Sequence, residues 1–469
     1  MLRPFLHSVG LGLTILCAFG VEDAVRILEL ERRLEVLDQK YRLLEKKLEN
    51  GEHAEGQTSR SLSIGAEGFN FRSADTNFVL RIRALVQADG RFYIDDGGNN
   101  RNDSFLLRRA RPIIEGTLWK SIDFTLVPEF GGGSNTTDGN PSSSASILDA
   151  YLNFRYRREL QLRVGKFKSP VGLEQLQSDS QTFFTERGLP SNLTPNRDTG
   201  VMLHGETWGG AVHYAIGIFN GVGDNRNSAN LDFDDEKEGA TRLFFHPFLH
   251  SDWEFLRGLG AGAGASYGNQ DGVSGLNSYT TEAGQIFFSY GSGSGPTAAT
   301  VRADGTHWRL SPQAYYYFRC FGFLAEYAIS SQEVRASASG VTAPDGPQNE
   351  LQHKAWQIVG GYVLTGENAS YKGVSPRKPF SLSERQWGAW ELVGRYSHLQ
   401  IDEQTFPVFA DPARSASEAG AYSGALNWYA NRNIRTTFSY VHTDFKNGTS
   451  GTVTRKDENA FLTRVQLAF

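Results

Sequence analysis

Arginine spaced for anion handling is the first chemistry the chain offers. Arg81 and Arg83 stand two residues apart, as do Arg109 and Arg111, while Arg163 and Arg395 sit singly in other stretches of alternating polarity. The guanidinium stays charged at any working pH, and its planar fork takes an oxyanion through two parallel hydrogen bonds. On an extended strand, residues two apart share a face, so each pair offers an anion two adjacent guanidiniums. Lys168, Arg187 and Arg197 add cations within residues 168–197, a thirty-residue stretch that also carries Glu174 and Glu186 and shows no strand alternation. Such arginines can equally brace carboxylates such as Asp123, Glu129, Asp149 and Glu326. Their clustering on neighbouring stretches favours a positive charge that outlasts pairing.

Other chemistry fails on context. Gly264-Ala-Ser266-Tyr-Gly268 spells the turn that presents a nucleophilic serine in hydrolases. That turn needs a helix after it, whereas here Gly258, Gly260, Gly262 and Gly264 recur at period two and a Gly/Asn/Asp-rich stretch follows. The glycines instead mark a flat strand face where another chain or an inward loop packs closely. They also miss the dinucleotide fingerprint, because position 265 is alanine. His246 and His250 flank Pro247 without a third ligand or a helix to align them, so no metal centre is expected. The sequence predicts no enzyme and no cofactor.

Strands must hold the arginines. From about residue 61 to the last residue, apolar and polar side chains alternate between Gly/Asn/Asp/Ser clusters. In Phe78 to Phe92 one face carries Phe78, Leu80, Ile82, Ala84, Val86, Ala88 and Phe92, and the other carries Arg81, Arg83, Gln87, Asp89 and Arg91. The same split recurs in residues 122–129, 148–155 and 461–469. Fifteen residues is long for a soluble sandwich, whose strands run to about five or six. The 469 residues contain no apolar run of eighteen, which excludes a helical membrane span. Basic and acidic residues number 47 and 52, for a net charge of −5 without block asymmetry, so nucleic acid is not an expected partner.

The N-terminus changes what the alternation means. Arg3, an apolar segment from Val9 to Phe19, and Ala18 and Gly20 before a cut read as a secretory signal peptide over residues 1–20. Its removal leaves Cys320 alone, so the mature chain has no intramolecular disulfide. Residues 22–49 space Ile27, Leu30, Leu34, Leu37, Tyr41, Leu44 and Leu48 three and four apart among charged residues, the pattern of a short coiled coil. Residues 50–60 are a polar linker. In an exported chain, strands that are apolar outside and polar inside form a transmembrane β-barrel, whose closure satisfies every backbone amide. Residues 61–469, at roughly 25 residues per strand, give on the order of sixteen strands and an aqueous channel. The expected fold is all-β, a transmembrane antiparallel β-barrel preceded by a short α-helical coiled coil. Trp253, Trp387, Trp390, Trp428 and the run Tyr315 to Tyr317 suit the girdles at the membrane interfaces.

Several stretches of this barrel region resemble the phosphate-selective porin O/P family. They are Ser104-Phe-Leu-Leu-Arg-Arg-Ala-Arg111, Val164-Gly-Lys-Phe-Lys-Ser-Pro-Val-Gly-Leu-Glu174, Thr185-Glu-Arg187 and Pro195-Asn-Arg-Asp-Thr-Gly200. Tyr362-Val-Leu-Thr-Gly-Glu367, Trp387-Gly-Ala-Trp-Glu-Leu-Val-Gly-Arg-Tyr396, Leu426-Asn-Trp-Tyr-Ala-Asn431 and Arg464-Val-Gln-Leu-Ala-Phe469 follow in order. The resemblance implies a sixteen-stranded, homotrimeric porin of the bacterial outer membrane, embedded in lipid and passing small anions such as phosphate or other oxyanions by passive diffusion. In the family both arginines of the Arg108-Arg109-Ala110 motif belong to the pore, whereas alternation turns Arg108 outward and favours Arg109. Phosphate-selective members carry lysines in the loop where this chain has Gln175 and Ser180, so an anion-preferring but less selective channel is expected. Its pore lining would comprise Arg81, Arg83, Arg109, Arg111, Arg163, Lys168, Arg187, Arg197 and Arg395. The competing reading is an envelope tether or receptor, with the barrel as an anchor and the coiled coil on periplasmic cell-wall material.

Overall fold

The computed structural model describes Glu29 and residues 32–42, 61–94, 102–132, 145–229, 232, 234–272, 276–291, 299–338, 346–447 and 455–469. The signal peptide expected over residues 1–20, the linker over 50–60 and both ends of the coiled coil over 22–49 lie outside the described residues. The chain divides into two compact units. In the first, Glu29 and residues 32–42 are helical. Ion pairs one turn apart, Arg33 with Glu29 at 2.9 Å and Arg42 with Asp38 at 3.0 Å, support the helix. Its seam residues Leu34, Leu37 and Tyr41 are all exposed.

The second unit opens with a hairpin of β1 (Ser61–Gly65) and β2 (Gly68–Arg72). An antiparallel meander follows: β3 (Phe78–Ile94), β4 (Ser104–Leu118), β5 (Ile122–Glu129), β6 (Ser146–Arg157) and β7 (Leu160–Lys168). It continues through β8 (Arg197–Thr207), β9 (Val212–Phe219), β10 (Glu238–Phe245) and β11 (Leu259–Asp271). A two-stranded insert, β12 (Tyr279–Thr280) with β13 (Ile286–Phe288), stands apart from the main sheet. The meander then resumes with β14 (Ala299–Phe318), β15 (Phe321–Ala338), β16 (Gln348–Val363) and β17 (Ala389–Gln400). It ends with β18 (Ala416–Tyr429), β19 (Ile434–Asn447) and β20 (Glu458–Ala468). The last strand pairs with β3, from Ala468 opposite Leu85 to Asn459 opposite Ile94. Among the described residues, sixteen antiparallel strands thus close into a barrel, and closure removes the edges that lipid could not hydrate. Below the end of β20, the start of β3 is paired instead by β2, with Phe69 opposite Ile82.

The period of two decides the faces. Phe78, Ile82 and Val86 are exposed on the outside of β3, while Gln87, Asp89 and Arg91 on the alternate positions are buried within. The outer face meets hydrocarbon, which supplies no hydrogen bonds and so selects apolar side chains. Trp390 and Trp428 stack at 5.7 Å on adjacent outer positions, and Trp387 and Trp253 are exposed. The tyrosine run divides between the two faces. Tyr316 donates from the outside to the Phe255 carbonyl at 2.7 Å, whereas Tyr315 and Tyr317 pack inward against buried Phe244 and its neighbours.

One rim has short turns, such as residues 119–121 and 158–159, and the other carries most of the long connections. In transmembrane barrels short turns mark the periplasmic side. Three segments fold inward: residues 169–196 after β7, residues 276–291 around β12 and β13, and residues 401–415 after β17. They cover the inner wall of β14 to β19, where Leu189, Phe287, Phe288 and Phe409 join Val301, Leu351 and Leu399 in one apolar core. Gly264 is where the first segment comes closest: a Cβ there would lie 2.2 Å from the Val171 carbonyl oxygen. An inward loop therefore accounts for the bare face at this glycine.

Candidate pore constriction

Residues 169–196 cross the lumen because the far wall holds their backbone. The Leu173 and Glu174 amides donate to the two oxygens of Glu326 at 2.7 and 3.2 Å. Gln357 Nε2 donates to Glu174 Oε2 at 2.9 Å, Asn427 Nδ2 to the Phe183 carbonyl at 2.9 Å, and Arg435 Nη1 to the Thr182 carbonyl at 2.9 Å. Each of these partners sits on β15 to β19, so buried amides and carbonyls that a loop would otherwise leave unpaired are satisfied by strand side chains. A one-turn helix, Leu173–Leu176, and a 3₁₀ turn, Leu189–Leu193, stiffen the crossing.

On its near side the segment presents two carboxylates to the arginines. Asp179 receives Arg111 Nη1, pairs with Arg187 at 2.6 Å, and lies 3.6 Å from Arg109 and 3.8 Å from Arg197. Glu186 pairs with Arg91 at 2.6 Å and with Arg108 at 2.7 Å, with Arg464 at 3.7 Å. Burial works to push the Asp179 carboxyl up, but Arg109, Arg187 and Arg111 outweigh it and hold the group well below the usual carboxylate range. Glu186 is held down in the same way, with Arg108 and Arg91 overcoming its burial. Arg111 also reaches Glu129 at 2.5 Å, and Arg197 donates to Asp149 at 3.1 Å.

Two cavities meet at this cluster. The smaller, about 160 Å³, is lined by Arg108, Arg109, Arg187, Glu186 and Gln175; the larger, about 520 Å³, reaches towards the short-turn rim past Arg83, Arg163 and Lys168. Arg111, Asp179 and Arg197 line both, so they stand at the boundary between them. The smaller cavity has five lining arginines against the two carboxylates Asp179 and Glu186, which leaves its wall net positive.

The candidate residues divide by place. Arg109, Arg111, Arg187 and Arg197 converge on Asp179. Lys168 lines the larger cavity and donates to the Gln177 carbonyl at 2.7 Å. Arg163 lines that cavity too, its guanidinium 4.6 Å from the Tyr151 ring centre. Arg83 pairs with Glu115 at 3.0 Å, and exposed Arg81 shares a separate cavity with it beside the β1–β2 hairpin. Arg395 departs from the expected lining. Its side chain is 1% exposed, paired with Glu282 at 2.5 Å, set 4.2 Å over the Phe184 ring, and lines neither of the two cavities. The inward segments cover it.

Arg108 corrects the alternation in the other direction. Gln87 pairs with Arg109 and Ala88 with Leu107, so Arg108 is the extra residue of a β-bulge. The bulge turns it to the lumen side, where it forks onto both oxygens of Glu186 at 2.7 and 3.1 Å. Sequence reasoning also missed Asp179 and the segment around β12 and β13. Tyr279, Phe287, Phe288 and Tyr290 within a Gly/Ser-rich stretch were the available signal, since an exposed loop has no use for four large apolar side chains. Ser266 is buried on β11 beneath Arg309 Nη1 at 3.2 Å. Arg309 itself is held by Asp224 and Glu238. His246 contacts the Tyr315 hydroxyl at 2.7 Å. Among the described residues no group of three or more His, Cys, Asp or Glu is placed to hold a metal ion.

A closed sixteen-stranded barrel with an apolar outside and an arginine-lined constriction defines a class, the outer-membrane diffusion channels. The family described as "Phosphate-selective porin O and P" matches residues 80–469, and the chain belongs to it. It is therefore a porin of the bacterial outer membrane, a passive channel. Among solved structures it is similar to the outer membrane channel DcaP of Acinetobacter baumannii, with TM-score 0.51 and 12% identity over 84% of this chain and 98% of that one. It is also similar to OmpT of Vibrio cholerae, with TM-score 0.50 and 11% identity over the same shares. No curated protein matches it.

Proposed function

We propose that this porin is an anion-preferring channel for small solutes, phosphate and other oxyanions among them. The observation that carries the reading is the convergence of Arg109, Arg111, Arg187 and Arg197 on the single carboxylate Asp179 where the two cavities meet. Four guanidiniums meet three carboxylates there, Asp179 at the centre with Glu129 and Asp149 behind Arg111 and Arg197, so an entering anion finds net attraction. Asp149 and Glu129 take part of the same charge, which keeps any one site shallow, as conduction through a series of weak sites requires. Gln175 and Ser180 stand where lysines would add charge, which supports preference for anions in general over strict phosphate selectivity.

The helix before the barrel supports self-association, which this reading takes as a homotrimer. Leu34, Leu37 and Tyr41 stay exposed along one helix face, the seam that a coiled coil over residues 22–49 would bury between copies. In this reading residues 1–20 are removed on export, residues 50–60 link the coil, and residues 61–469 form the barrel.

Planar-bilayer recording tests the channel. Step-like conductance with a KCl reversal potential on the anion side is expected, and Arg109→Ala and Arg111→Ala each lower the anion-to-cation permeability ratio several-fold. Selectivity unchanged in both variants would overturn the assignment.

A further inference from the structure

On the side of the barrel that the inward segments leave open, the polar inner face is interrupted by a run of apolar side chains. Leu85 on β3, Ile113 on β4, Val127 on β5, Tyr151 on β6, Phe167 on β7 and Met202 on β8 all occupy lumen-facing positions, one from each of six consecutive strands. All six line the larger cavity of about 520 Å³, a volume typical of small-molecule sites. Ile113 and Tyr151 are half-buried and present surface to the cavity, with Leu85, Val127, Phe167 and Met202 buried around them, a lining that gives a hydrated inorganic ion nothing to bind.

The same cavity holds two arginines unlike those at the constriction. Arg163 stands opposite Met202 in the β7–β8 register, with its guanidinium 4.6 and 5.4 Å from the Tyr151 and Phe167 ring centres. Its buried Nε has no hydrogen-bond partner, and among the described residues it forms no ion pair. Arg242 lies 4.4 Å over the Phe244 ring and donates from Nε to the Gln313 amide oxygen at 2.9 Å, again without a carboxylate. The constriction arginines are each matched to Asp179, Glu129, Asp149 or Glu186. Arg163 and Arg242 are held on aromatic rings, which orient a guanidinium without neutralising it.

We infer that this vestibule is a binding subsite for small aryl carboxylates, whose ring lies on the apolar side chains while the carboxylate meets one of the two ring-held guanidiniums, Arg163 or Arg242. The inference rests on the anion-preferring reading and narrows it from charge alone to charge joined to an apolar body. Unpaired guanidiniums supply the first half of that recognition and the apolar side chains the second.

Benzoate is the probe, with acetate matching its charge and benzyl alcohol matching its ring. Benzoate should interrupt chloride current through the wild-type channel at concentrations about tenfold below acetate, the advantage expected from burying a phenyl ring; benzyl alcohol should have no effect. The double variant Arg163→Gln/Arg242→Gln should lose the benzoate effect. Tyr151→Ser, which keeps both charges, should bring benzoate down to the level of acetate. Equal potency of benzoate and acetate on the wild type, or an unchanged benzoate effect in the double variant, overturns the subsite. The KCl reversal potential in the same membranes separates the two claims: an anion-preferring channel with equal potencies sinks the subsite alone. A cation-preferring channel sinks the underlying reading. Calorimetric titration of benzoate into the detergent-purified trimer and its double variant then decides the subsite without conduction.

Discussion

The barrel has two inner walls built by the same rule and used differently. From β3 to β10, most inward arginines stand around cavities, Arg91 beneath the Ala283 carbonyl being an exception. From β14 to β19, inward side chains of the same types are sealed beneath folded-in segments. Arg111 and Arg395 make the contrast concrete. Both are on the polar face of a strand and both pair with two carboxylates, Arg111 with Asp179 and Glu129, Arg395 with Glu282 and Glu174. Arg111 lines both cavities, whereas Arg395 lies under the Glu186 carbonyl, to which it donates twice at 3.2 Å. Strand alternation determines which face a residue occupies, and long-range packing of the loops determines whether that face is wet.

The largest expected effect comes from the sealed wall. Arg395→Ala leaves Glu282 and Glu174 without their shared cation in a dry setting, and breaking a buried pair from one side costs about 3–5 kcal/mol. Glu282 also accepts from Ser397 and Ser423, so it remains anchored but charged and unpaired. The variant should unfold at clearly lower denaturant, and its conductance should rise as the inward segments loosen. Wild-type stability with wild-type conductance would mean that the sealed wall does not depend on Arg395.

How much of this was visible in the sequence follows from the same contrast. The barrel, its strand number and the outward faces were legible because lipid imposes one constraint at every second residue. The inward-folding thirty-residue segment was detectable as a break in that period. Arg108 was misread because a bulge shifts the period by one, and a one-residue shift reverses every face beyond it. Arg395 was misread because nothing within its own strand reports the arrival of Glu282, 113 residues away. The lumen-facing Leu85 and Val127 sit on a polar face as visible exceptions, but only register brings them together.

A smaller effect should follow from weakening one tether between the walls. Glu326 takes the Leu173 and Glu174 amides; a backbone donor left unpaired costs about 1–3 kcal/mol, and less once the freed segment lets both amides turn to lumen water. Glu326→Ala should leave the barrel folded and raise the amplitude of open-channel current noise by loosening residues 169–196. Quiet, wild-type current would show that Asn427, Arg435 and Gln357 suffice to hold the segment.

The smallest expected change is none at all, and it tests the open wall. Asp179 and Glu186 have carboxyls held well below the usual range, burial being outweighed by their arginines. A carboxylate whose folded pKa is depressed contributes its full share above the unfolded value of about 4 and loses it only as pH falls through the lower folded value. The constriction should therefore keep its shape from about pH 7 to about pH 4.5 and open only under stronger acid. Single-channel conductance reads this best in about 1 M KCl, where a Debye length of about 3 Å screens charges elsewhere in the vestibule. A conductance change already complete between about pH 6 and pH 5 would place the controlling titration outside these two carboxylates, and with it the closure of the path along β3 to β10.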